Sequence, residues 1–181
     1  MSEHDPTLVW VDLEMTGLDV ERCAIIEIAV VLTRKDLEPF AELHRIIWQP
    51  DEVLDRMDPF VREMHTTNGL LERVRASRCS LTDAENDALA LVSSHCKFRE
   101  GILAGNSVHA DRRFLARYMP TFERFLHYRQ VDVSTLKVLT RAWYPGTPKL
   151  EKEDKDHTAL ADIHASIDEL RHYRQAFFRP T

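Results

Sequence analysis

Asp12 and Glu14 stand two residues apart at the end of the apolar run Leu8-Val9-Trp10-Val11. In an extended chain alternate side chains share a face, so both carboxylates aim at one spot while Leu13 points away. Like charges held together beside a core are costly unless a cation neutralises them or one keeps a proton. A strand end running into solvent would carry the same pair without any chemistry. Asp111 follows a second apolar segment, Ile102–Gly105, and the turn at Asn106-Ser107. Ligands gather at strand ends and the loops beyond them in α/β sheets, although an acid early in a helix is also favoured by the dipole alone. His157 and Asp162 open the last helical segment, five residues apart. Five residues turn a helix by about 500°, so the two share no face if both are helical. His157 is therefore expected in the loop before the helix, with Thr158 near the cap, where it can swing over the face that carries Asp162. Hard oxygen donors at this density suit Mg²⁺ or Mn²⁺, not zinc.

The elements that must hold these groups follow from hydrophobic periodicity. Leu8–Leu13, Ile25–Thr33 and Leu43–Trp48 are β-prone, and their short links predict an antiparallel meander. The period then changes. Pro59–His65, Gly69–Ala76 and Leu81–Cys96 have helical spacing, the last opened by Thr82 with Glu85 three residues on. Ile102–Gly105 is predicted as a short buried strand, Asp111–Met119 as a helix stopped by Pro120, Tyr128–Val131 as a fifth strand and Val133–Trp143 as a helix. Tyr144–Asp156 is rich in proline and charge and predicts an exposed loop before a closing helix over Thr158–Phe177. The order predicts an α/β fold of RNase H-like type: a mixed sheet, with a three-stranded antiparallel meander and two further strands, flanked by helices. Order alone carries no function.

Composition narrows the partners. The 181 residues suit one domain, 1–181, with a single core. No apolar run is long enough to span a membrane. Met1–Pro6 carries no apolar signal segment, and the three cysteines form no CxxC pair, so a cytoplasmic protein with free thiols is expected. The net charge is −6. A protein that grips long nucleic acid needs a basic surface. This chain is expected either to avoid nucleic acid or to bind a few phosphates in a small pocket.

Taken together, D-x-E on the first strand, an Asp after a later strand and H-x₄-D opening the last helix resemble the DEDDh exonucleases. The resemblance narrows to the oligoribonucleases through VWVDLEMTGLD (Val9–Asp19), IIEIA (Ile25–Ala29), HTTNGLLERVRAS (His65–Ser77), GNS and ADRRFLARYMP (within Gly105–Pro120), HYRQVDVSTLK (His127–Lys137) and HTALADI (His157–Ile163), which fall in order along nearly the whole chain. It implies a 3′→5′ exoribonuclease acting on very short 5′-phosphorylated single-stranded RNA, dinucleotides preferred. It implies two divalent cations, Mg²⁺ or Mn²⁺, on Asp12, Glu14, Asp111 and Asp162, with His157 as general base. In nucleases such ions lie roughly 3.5–4 Å apart, one activating water and one stabilising the leaving oxygen. A neutral histidine can take the proton of that water. Met15 and Leu18 would contact the bases, Leu18 as a wedge. His65, Ser107, Arg129 and Ser134 would hold the terminal 5′ phosphate, and Tyr128 would reach across a homodimer interface. Each has a local alternative: Ser134 also suits a helix N-cap and Leu18 a core position.

Two departures stand out. Phe60 occupies a place where the family commonly has Trp, so a stacking contact there would be smaller. His109-Ala110 replaces the family's usual Gly-Gln before Asp111. Neither removes a catalytic group. Two other readings compete: a proofreading DNA exonuclease module, separable by a length profile on RNA and DNA, and a metal-free scaffold, which would bind no Mn²⁺.

Overall fold

The run Ile25-Ile26-Glu27-Ile28-Ala29-Val30-Val31-Leu32-Thr33 is buried at every position. A strand covered on both faces reads as a nearly continuous apolar run, and this one lies inside a five-stranded sheet. In a computed structural model that describes residues 7–144, 146 and 158–178, the strands are β1 (Leu8–Met15), β2 (Ile25–Thr33), β3 (Pro39–Ile46), β4 (Ile102–Gly105) and β5 (Gln130–Asp132). Their spatial order is β3-β2-β1-β4-β5. The first three form the expected antiparallel meander. Both β4 and β5 then join in parallel.

Two cores sit on the two faces of this sheet. Val9, Val11 and Leu13 of β1 pack with Ala84, Ala88 and Val92 of α4 (Leu81–Ser93) and with Phe114 and Leu115 of α5 (His109–Tyr118). Leu8 and Trp10 point the other way, toward Ile163 and Ile167 of the closing helix, α8 (Ala159–Phe177). Trp10 is fully buried and its ring N–H donates to Thr33 Oγ1 at 2.9 Å. Since side chains alternate, Asp12 and Glu14 continue the parity of Trp10 and face α8. The strand period thus places the two acids opposite the helix that carries Asp162.

The remaining helices are α1 (Asp51–Leu54), α2 (Pro59–Thr67), α3 (Leu70–Ala76), α6 (Pro120–Phe125) and α7 (Val133–Trp143). Some boundaries differ from the sequence reading. The third strand starts at Pro39, not Leu43, because an edge strand tolerates proline at its first position. Helix α4 is capped by Ser80, which exchanges bonds with Asp83 in a capping box, not by Thr82 and Glu85. Pro120 stops α5 as expected but also opens α6, where its missing N–H costs nothing. The fifth strand begins two residues later than expected, at Gln130. Most of the loop Tyr144–Asp156 lies outside the described residues.

Candidate active site

Strands β1 and β4 are parallel neighbours, with Trp10 opposite Ala104. Strand β5 follows, with Gly105 opposite Asp132. All three therefore leave the sheet at one end, and the candidate residues collect there. Asp12 and Glu14 come from β1, and a register shift between Glu14 and Met15 re-aims the residues beyond. Asp162 comes from the first turn of α8, whose cap, Thr158, accepts the Ala161 N–H at 3.3 Å. One carboxylate oxygen from each of Asp12, Glu14 and Asp162 lies within 4.8 Å of the others. Asp111, in the first turn of α5, is buried, and its Oδ1 accepts the Leu13 N–H at 3.1 Å. It stands beside the trio and adds to its negative field.

The electrostatics of this cluster are unfavourable for a bare protein. Burial, then the charges of Asp111, Glu14, Asp162 and Glu27, holds the Asp12 carboxyl well above the usual carboxylate range. Burial followed by the charges of Glu27, Asp162 and Asp111 pushes Glu14 up to about 8. Burial pushes Asp111 up to about 7 against the opposing bond from Leu13. Carboxyls this crowded and dry either keep protons or take a cation. The donor set is all oxygen, as Mg²⁺ and Mn²⁺ require, so these four residues could hold such ions.

Glu27 escaped the sequence reading. It is fully buried on β2, directly opposite Glu14, and His44 Nε2 lies 2.5 Å from its Oε1. The signal was present in IIEIA, an acid inside an otherwise apolar strand. Arg112 was also missed. It is the residue after Asp111, and its guanidinium bonds Glu123 and the carbonyls of His127, Tyr128 and Arg129 at 2.9–3.4 Å. It thereby fixes the segment that carries two candidate residues. Tyr128 is exposed and stacks on His127, and Arg129 lies over the Tyr128 ring.

Ser107 and Ser134 meet, as expected for one subsite, with their hydroxyl oxygens 3.0 Å apart. Ser107 adopts φ +54°, a left-handed conformation uncommon outside glycine. Its N–H is held there by Asp132 Oδ1 at 2.9 Å and Ser134 Oγ at 2.8 Å. The N-cap of α7 is Asp132, which accepts the Ser134 N–H, so Ser134 is not spent as a cap. His65 is placed differently. It is fully buried, its Nε2–H reaches Met15 O at 3.2 Å, and the same nitrogen lies 3.7 Å from Glu14 Oε2. Burial lowers its pKa, against the Met15 bond and the Glu27 charge. Leu18 is 76% exposed and Phe60 75%, so Leu18 is no core residue. His157 lies outside the described residues.

Comparisons with known proteins bear on the family and the fold. The exonuclease family model (RNase_T) matches residues 9–170. The oligoribonuclease of Thiobacillus denitrificans is 49% identical over 97% of both chains. That of an Azoarcus species is 48% identical over 99% of both chains. Among solved structures, zinc-bound Escherichia coli exonuclease I with single-stranded DNA superposes with a TM-score of 0.74 at 15% identity, over 97% of this chain. Exonuclease I of Methylocaldum szegediense gives 0.70 at 19% identity over 95% of this chain. The present chain spans only about two fifths of the length of those two proteins, 42% and 41%. They share its fold.

Proposed function

Because the chain belongs to the exonuclease family, and within it to the oligoribonucleases, we propose that this nuclease hydrolyses very short 5′-phosphorylated RNA from its 3′ end, with dinucleotides preferred, to mononucleotides. The convergence of Asp12, Glu14 and Asp162 within 4.8 Å at the strand ends carries the reading. With Asp111 they would hold two divalent cations, Mg²⁺ or Mn²⁺. Such ions, when bound, lower the pKa of water and stabilise the leaving oxygen. His157, just before the cap of α8, takes the proton of the attacking water. Exposed Leu18 and Phe60, with Met15, present apolar surface to the bases. Ser107, Ser134, Arg129 and His65 hold the 5′ phosphate, where Arg129 supplies the forked donor that suits phosphate. His65, buried against Glu14, requires a side-chain turn to take part.

The preference for short substrates rests on charge and on closure. A net charge of −6 argues against a long phosphate-tracking groove. A cap around the terminal phosphate has no room for a further nucleotide. A longer strand would clash or leave donors half paired, at about 1–3 kcal/mol for each. In a kcat/KM series on 5′-phosphorylated RNA of two to seven nucleotides, the dinucleotide should lead and specificity should fall by roughly tenfold for each donor left unpaired. Removal of its 5′ phosphate should cost a similar factor, most of which Arg129→Ala should also remove. A flat or rising series would indicate an open groove and a general exoribonuclease.

The working form is a homodimer in the cytoplasm. Tyr128 is 66% exposed and Trp143, at the end of α7, also 66%. An isologous pair that covered Tyr128 would give two equivalent composite sites. Sedimentation at assay concentration should show the dimer. A fully active monomer would remove Tyr128 from the site.

A further inference from the structure

One face of the sheet carries a polar row that leads away from the acids. Glu14 of β1 stands directly opposite Glu27 of β2, while Asp12 stands opposite Ala29. Cross-strand partners share a face, with Cβ atoms typically about 4.5–5.5 Å apart, and like charges so placed repel. On the edge strand β3 the partner of Glu27 is Ile46, and His44, two residues away, shares its face. The row Glu14, Glu27, His44 therefore runs from the acid cluster to the sheet edge. Its two ends are partly exposed and its middle member, Glu27, is fully buried.

The two oxygens of Glu27 are used unequally. Oε1 lies 2.5 Å from His44 Nε2. An ionised carboxylate only accepts, so the ring N–H is the donor to that form. Oε2 is buried and has no hydrogen-bond partner among the described residues. A buried acceptor without a donor is costly. The placement also works against Glu14, which burial raises first and the charge of Glu27 next. An apolar residue at this position would avoid both costs. Both are also relieved when a cation sits at Glu14 and brings water with it. Mg²⁺ keeps several waters when carboxylates bind it, and ligating carboxylates depend on the hydrogen-bonding groups behind them. We infer that Glu27 is a positioning residue for the cations: its Oε2 accepts from a water that the cation at Glu14 retains, and His44 holds the carboxylate in that orientation. This rests on the proposed cation site.

The test is a calorimetric titration of the full-length, metal-free protein with Mn²⁺. Glu27→Gln should bind the same number of ions as the wild type, but about 10- to 100-fold more weakly, the range for loss of a group behind a metal ligand. The Mn²⁺ concentration for half-maximal rate should rise by the same factor. Glu27→Asp keeps the charge but withdraws both oxygens by one methylene, and it should be weakened nearly as much. His44→Ala releases Oε1 and should also weaken binding, whereas His44→Gln, which still offers an N–H, should restore most of it. In the Glu27→Gln background His44→Ala should add less than about threefold, since it acts only through Glu27. The His44 variants also cover a failure of Glu27→Gln to fold. Wild-type affinity in Glu27→Gln, with or without a lowered Tm, would show that the pair only ties β2 to β3 and would overturn the inference while leaving the cation site intact. Wild-type affinity in Glu27→Asp would reduce the effect to charge alone, and fewer ions bound in Glu27→Gln would make Glu27 a direct ligand. Either result overturns the inference. A wild type that binds no Mn²⁺ would refute the cation site itself, and the inference with it.

Discussion

Asp12→Asn will lose nearly all hydrolysis, at least ~10³-fold at saturating Mn²⁺, and yet the metal-free variant will melt higher than the metal-free wild type. The loss follows because an amide is a poor ligand for a hard cation. The gain follows from the cluster's own electrostatics. Burial and the charges of Asp111, Glu14 and Asp162 hold Asp12 well above the usual range, while Glu14 lies at about 8 and Asp111 at about 7. In an unfolded chain these groups titrate near 4. The folded state therefore binds their protons more tightly, and their favourable contribution is complete below about pH 4. It is lost as pH rises through 7 to 8, the values for Asp111 and Glu14. Without metal, the wild-type Tm should fall from pH 5 to pH 8, and Asp12→Asn should fall less. A gap of at least about 5 °C at pH 8 is expected. Mn²⁺ should raise the wild type and leave the variant much less changed. Near-wild-type turnover in Asp12→Asn would end the two-metal reading. A lower metal-free Tm would show that the acids are already compensated in some other way.

His157→Ala should cost about 10²- to 10⁴-fold near neutral pH, the range for removing a positioned general base. In the wild type, kcat/KM should fall as pH drops through the imidazole pKa, because only the neutral ring accepts a proton. The variant should lose that acid limb. The geometry that supports the role is the start of α8, where Thr158 is the cap and Asp162, four residues on, sits in the acid trio. His65 is the control. It also lies near Glu14, at 3.7 Å, but its ring is fully buried and its Nε2–H is directed to Met15 O. An acid limb that survives in His157→Ala would move the base role away from His157.

What could be read from the sequence divides by range. The spacing of Asp12 and Glu14 was decisive because a strand has a period of two, and one parity sets one face. The meander was legible because its links are short. The long helix carrying Asp162 was legible because a threonine cap and a first-turn acid are local signals. Other features depend on partners distant in sequence. Glu27 looked like an interruption in an apolar run, and only the register opposite Glu14 gives it meaning. Arg112 looked like one arginine of a pair, and only the fold brings it to the carbonyls at 127–129. Ser134 had two local readings, and the cap reading fell because Asp132 takes that place. Ser107 carries no sign in its type of the left-handed backbone that aims it. The short helices α1 and α6 are below the length at which periodicity speaks.

Asp111 and Arg112 are consecutive residues of one helix, α5. The first is anchored to β1 through Leu13, and the second holds the segment that bears Tyr128 and Arg129. The two ends of the site are therefore referenced to a single rigid part. If that part shifts, both ends shift together, and the interval between them is conserved. A site built this way would work as a fixed gauge, not as a pair of jaws. The proposed selectivity for length would then come from the tolerance of one helical turn, with no hinge to close.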